Sequence, residues 1–298
     1  ILSVCPVGKS QDAVQKRIRD IKDDKWESIG IDVAGRTNPN PERPEERVHI
    51  FLSALKHPNN DFENWRGFIS ENAAYVPVLQ LDLSGEVENF GLTRQLNDFV
   101  SLGRGIIFRY PMRPKADEPY GRYEDALRYT IEVLQSRQAL HQLLIVLDAG
   151  RVENIELTQN WLNGRADFID EAAGRENVCV SLSGTSFPPQ FDGLEKEIPS
   201  VEIKERQLYN LSYEYVSTKV LKFIYGDYAS TRGESEPGGF LGPARVDFAA
   251  ENVWWYNRQR FEDREDEPED RKVAFHLAAR RIVEDDVLGP EIEALEGL

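Results

Sequence analysis

Apolar residues along this chain fall into short dry runs separated by amphipathic or charged stretches. Three runs set the pattern: YVPVLQLDL at 75–83, GRGIIFRYP at 103–111 and LLIVLDAGR at 143–151. Each is mainly apolar and closes on a charge or a turn, as expected of strands covered on both faces of a parallel sheet. The segment 123–142 between two such runs has helical spacing. Strand and helix in alternation predict an α/β fold.

The same reading extends along the chain. Residues 1–7 begin as a strand and 11–23 follow as a charged helix. Further strands are predicted at 26–33, 48–53, 75–82, 105–110, 143–148, 177–183 and 221–227, with helices over 91–102, 123–142 and 158–175 and a partly helical connection at 60–72. Eight strands with intervening helices predict a (β/α)8 TIM-type barrel over 1–229. An open doubly wound sheet is the rival, disfavoured because no glycine-rich dinucleotide fingerprint follows the first strand. The stretch 200–215 (SVEIKERQLYNLSYEY) begins like a strand and continues like a helix, which would alter the count. Residues 230–298 read as a C-terminal β-hairpin and helix packed on the barrel within the same domain. The hairpin carries Trp254, Trp255 and Tyr256, of which one tryptophan is expected to anchor it.

Composition narrows the function classes. The 298 residues include 36 Lys+Arg against 52 Asp+Glu, a formal charge of −16. Such an acidic chain is a poor non-specific nucleic-acid binder, which needs a clustered basic face. No run approaches the ~20 apolar residues that span a bilayer, so no membrane association is expected. Two isolated cysteines, Cys5 and Cys179, read as free thiols of a reducing compartment, and the cytoplasm is the expected location. The four histidines have no ligand spacing, so no zinc site is predicted.

In a barrel, residues at the C-terminal ends of strands share one mouth, where sites are built. Asp82, Arg109, Asp148 and Asp227 are the candidate catalytic set there, with Lys9, Asp32, Ser183 and Ser186 as candidate ligand-binding residues. Carboxylates with one guanidinium could hold a phosphorylated substrate, with Mg2+ as the one cofactor they suit. For Arg109 an internal salt bridge with Asp82 or Asp148 is the favoured reading. Gly8-Lys9-Ser10 lacks the earlier glycine of a phosphate-binding loop, because Ser3 stands in its place. The SGTS turn at 183–186 could cup an anion, but no nucleophile elbow or placed histidine accompanies it.

The order VPVLQLDL, GRGIIFRY, LLIVLDAGR, VSLSGTSFP, FIYGDY and ARVDFAAENVWWYNRQR resembles the Beta protein family of phages and bacteria, named after a protein of a T4-type phage. The resemblance covers about residues 75–260. Its most specific pieces are Ser183-Gly184-Thr185-Ser186-Phe187-Pro188 and Gly226-Asp227-Tyr228. It implies a barrel and a phage or mobile-element setting, and transfers no catalytic residues. Two function classes follow. One recognises a small anionic ligand or a host or phage protein partner, at the mouth or the C-terminal appendage, without turnover. The other is a hydrolase or lyase of a phosphorylated substrate.

Overall fold

The strands of this chain assemble in nearly the order in which they are encoded. The computed structural model describes residues 2–4, 29–33, 47–83, 91–113, 120–175, 177–187, 200–228, 244–259, 268–286, 288–290 and 292. Strands β1 (Leu2–Val4), β2 (Ile29–Val33) and β3 (Tyr75–Pro77) form one parallel sheet in the order β1-β2-β3. Strands β4 (Ile106–Pro111), β5 (Leu143–Arg151), β6 (Cys179–Thr185) and β8 (Lys222–Tyr225) form a second, in that order. A parallel bridge from Val78 to Ile107 follows β3, and Leu79 N–H donates to the Ile107 carbonyl at 2.9 Å.

The dry runs form strands for the reason their composition suggests. Ile106, Ile107 and Phe108 in β4 and Ile145, Val146 and Leu147 in β5 are all buried. Such residues suit a sheet with neither face in water. The two strands pair in parallel from Ile106 with Leu143 to Pro111 with Asp148.

Chain contacts divide the molecule into two units. The first comprises Ile1–Asp148, Trp161–Leu182 and Tyr213–Ile224; the second comprises Ala149–Asn160, Ser183–Ser212 and Tyr225–Leu298. The first holds α1 (Arg47–Lys56), α2 (Asn59–Ser70), α3 (Leu92–Leu102) and α4 (Tyr120–Ser136). Helix α5 (Ile155–Ala173) and helix α6 (Lys204–Ser217) each contribute residues to both units. Gly91 begins α3 with φ +71, and a Cβ there would come within 2.6 Å of the Phe62 ring. Only glycine meets both demands.

The second unit contains the predicted hairpin, β9 (Ala244–Ala249) with β10 (Val253–Gln259). Strand β7 (Ser200–Glu202) adds antiparallel to β10, giving a sheet of order β7-β10-β9. Helix α7 (Pro268–Val283) packs on β9 and β10, and its Ala274, Ala278 and Ile282 are buried. Trp254 is buried and Trp255 half-buried, as alternation along a strand requires.

Two expectations are revised. Residues 48–53 are not a strand but the middle of helix α1. A six-residue apolar run does not distinguish strand from helix by periodicity. Here the good helix formers Ala54, Leu55 and Lys56 continue it, with Leu52 and Leu55 buried three apart and Ile50 exposed. The stretch 200–215 does begin as a strand, but β7 joins the hairpin sheet. A closed eight-stranded barrel is not shown by the described residues, which give an α/β architecture with three sheets. The predicted helix 11–23, the connection 34–46 and the segment 230–242 lie outside the described residues.

Candidate functional site

Three strands carry one charged residue each to a common point in the first unit. Asp32 is the fourth residue of β2, Arg109 the fourth of β4 and Asp148 the sixth of β5. All three follow dry residues near the C-terminal ends of their strands. The Arg109 guanidinium donates from Nε to Asp148 Oδ2 at 2.6 Å and from Nη1 to Asp32 Oδ2 at 2.9 Å; its Nη2 lies 2.5 Å from Asp148 Oδ2. The side chains of Asp32 and Asp148 are 9% and 5% exposed, whereas that of Arg109 is 37% exposed.

A relay of neutral amides holds the trio in place. Asp32 Oδ1 accepts from its neighbour's backbone, Val33 N–H, at 2.7 Å and from Gln80 Nε2 at 3.0 Å. Gln80 is fixed by Gln95 of α3, which accepts from Gln80 N–H at 3.0 Å and donates to the Gln80 carbonyl at 2.8 Å. Gln95 also donates to the Gly91 carbonyl at 2.7 Å and is fully buried. A buried carboxylate is tolerated when it is paired and its other lone pairs are satisfied. Asp32 meets that condition through Arg109, Gln80 and Val33.

The predicted site residues are thus distributed unevenly. Asp32, Arg109 and Asp148 are brought together. Asp82 is half-buried on the segment that follows β3. Ser183 is half-buried in β6, and Ser186 is buried just beyond it. Asp227 is exposed and bears on Tyr225 and Glu205. Lys9 lies outside the described residues.

Glu205 escaped the sequence analysis. It sits in the first turn of α6, fully buried, and burial pushes its carboxyl above the usual range. The Ser186 hydroxyl and the Trp254 indole N–H face it and oppose that shift, and the charge of Asp227 adds to it. The Tyr225 phenol is also pushed up, first by burial and then by Asp227. The clue lay in the strand-to-helix change at 200–215, which places a glutamate three residues after the end of a strand and two after a buried Ile203.

An open hollow of about 470 Å³ in the first unit is lined by Gln135, Gln138, Leu140, His141, Asn177 and Leu221. Several of these precede β5, β6 and β8, at the strand ends opposite Asp148. Among the described residues no group of three or more His, Cys, Asp or Glu is placed to hold a metal ion. Among them, too, no helix is long and apolar enough to cross a membrane.

Comparison with known proteins finds a family for the sequence. The family described as Beta protein matches residues 5–294. The chain belongs to the Beta protein family. The match takes in the N-terminal third as well as residues 75–260. A curated relative, Protein beta of Enterobacteria phage P4, is 23% identical over 241 residues. That alignment covers 77% of this chain and 58% of the relative, so the chain spans little more than half of the relative's length. The phage of this relative is P4 rather than the T4-type phage expected from the resemblance. No solved structure matches.

Proposed function

We propose that this Beta-family chain is a cytoplasmic recognition protein of a phage or mobile element, engaging its partner through the Arg109 group without turnover. The observation that supports this most is the state of Arg109. Its guanidinium is held from two sides by buried carboxylates on different strands, yet more than a third of the side chain stays exposed. A donor fixed in this way loses little freedom on binding. The trio carries one net negative charge, which favours a protein partner over a multiply charged phosphate. Asp32 already directs its oxygens to Arg109, Val33 and Gln80, an arrangement suited to positioning rather than proton transfer.

The phage P4 relative supports the phage setting. The winding of the strands supports a barrel-like course. Their order rises from β1 to β3 and from β4 to β8 without the reversal that defines a doubly wound sheet.

The test uses the whole chain, wild type beside Arg109→Lys, which keeps the charge but loses the fork geometry. Both are screened by thermal shift against phosphorylated metabolites with and without Mg2+. Both are also cross-linked in host and phage-infected extracts. A partner captured by wild type and lost in Arg109→Lys, with no phosphate-dependent shift, is the expected result. A phosphorylated compound that stabilises wild type and is converted to product would instead establish the hydrolase or lyase class.

A further inference from the structure

The second unit holds a buried acid to which no cation is paired among the described residues; the cation next to it in the chain, Arg206, lies over the Tyr225 ring. Glu205 is fully buried, and neither of its carboxyl oxygens meets a hydrogen-bond donor. Ser186 and Trp254 are each 8% exposed, and the Ser186 hydroxyl and the Trp254 indole N–H are buried and equally without a partner. Both face Glu205 closely enough to favour its charged form, but neither reaches hydrogen-bond geometry. These three groups come from three elements: the turn after β6, the first turn of α6, and β10. The Tyr225 hydroxyl at the end of β8 is likewise buried and unbonded.

The inventory of these groups shows what is missing. Glu205 accepts, Ser186 and Tyr225 can accept, and only the Trp254 indole is a donor alone. Asp227 adds a second negative charge, and among the described residues no lysine or arginine bears on Glu205. Buried polar groups left without partners in a folded protein call for a ligand, an ion or water. An excess of acceptors under net negative charge calls for a cation with several N–H donors. Phe187, Ile203 and Trp254 pack as one buried apolar cluster, so the surroundings of the acid are apolar apart from these few polar groups. Asp227, whose charge bears on Glu205, is itself exposed.

We propose that Glu205, Ser186 and Trp254 form a binding site for a primary ammonium group, carried by a small amine or by a lysine side chain of a partner. The ammonium donates to Glu205 and to Ser186, while the Trp254 N–H bonds the remaining carboxyl oxygen. This site shares no residue with the Arg109 group and does not rest on the recognition reading above.

The test is calorimetric titration of the full chain with n-butylammonium chloride and, separately, with a lysine-containing peptide. n-Butanol serves as the neutral control. Wild type is compared with Glu205→Gln, Ser186→Ala and Arg109→Lys. The expected result is binding of at least one ammonium probe, about tenfold weaker in Glu205→Gln and about threefold weaker in Ser186→Ala. Arg109→Lys should bind as wild type does, and n-butanol should not bind. Affinity should rise with pH as Glu205 ionises, while the amine stays protonated up to about pH 10. Binding of butylammonium alone assigns the site to a small amine, and binding of the peptide alone to a protein lysine. If Glu205→Gln fails to fold, Ser186→Ala and the pH dependence decide the matter. No binding of either probe, equal binding of n-butanol, or unchanged affinity in both site variants would overturn the proposal.

Discussion

Asp32 and Asp148 in the first unit and Glu205 in the second are all carboxyl groups shut almost wholly from water, yet the chain treats them in opposite ways. The first pair has its cation built in, because Arg109 donates to both. Glu205 has two neighbours that could donate, a second acid nearby and, among the described residues, no paired cation. The difference teaches that burial alone does not set the state of an acid. In the first unit a buried charge is part of the fold; in the second, a buried charge is at odds with it. A carboxyl in that second condition either holds its proton or waits for a partner.

The sharpest way to break this comparison is to remove the cation. Arg109→Gln should leave two buried carboxylates facing one another and cost about 3–5 kcal/mol in urea denaturation. A loss below about 1 kcal/mol, the range of exposed pairs, would mean that the trio is not a buried ion network.

Substitution at Glu205 should have the opposite sign. Glu205→Met replaces an unsatisfied acid with an apolar chain of similar length and should stabilise the protein by about 1–3 kcal/mol near neutral pH. Because burial raises the folded pKa above the ordinary 4.5, the folded state binds this proton more tightly than the unfolded state. The stability from protonated Glu205 is therefore complete below pH 4.5 and is lost as pH rises through the folded value. Denaturation measured across that window should show the decline in wild type and not in Glu205→Met; parallel curves would contradict the assignment.

The smallest effect belongs to a charge pair in water. Arg280 donates to Glu284 at 2.6 Å across one helical turn, with both side chains exposed. Arg280→Gln should leave the denaturation midpoint unchanged within error. A shift comparable to that of Arg109→Gln would show that burial is not what separates the two cases.

The sequence carries the first half of the comparison more openly than the second. Strands β4 and β5 are legible because residues dry on both faces leave no polar alternation to misread. Arg109 and Asp148 then stand out as charges at the ends of such runs, and their pairing follows from adjacent strands. Gln80 and Gln95 do not stand out. Neutral amides serve as readily at the surface, and only the fold shows that Gln95 is buried and clamps the chain that holds Asp32. Residues 48–53 mislead because six apolar positions fit a strand as well as a helix. Glu205 is concealed for another reason. A glutamate in the first turn of a helix is ordinary, favoured by the helix dipole. Its environment is unusual only because Trp254, from a strand encoded much later, closes over it.

That distance along the chain bears on how the protein is made. Strands β2, β3, β5, β6 and β8 each pair with a strand already synthesised, but β7 does not. Its Glu202 pairs with Val253 and its Ser200 with Trp255, so its partner leaves the ribosome roughly fifty residues later. At about 5–20 residues per second the wait lasts on the order of 3–10 s. Throughout it β7 offers an unpaired edge, the kind of surface on which nascent chains stick to one another. The strand is three residues long, and its outer positions are the polar Ser200 and Glu202, both exposed in the finished protein. Brevity and polarity make it a poor template while it waits, and the hairpin arrives to a strand that has had little chance to pair wrongly.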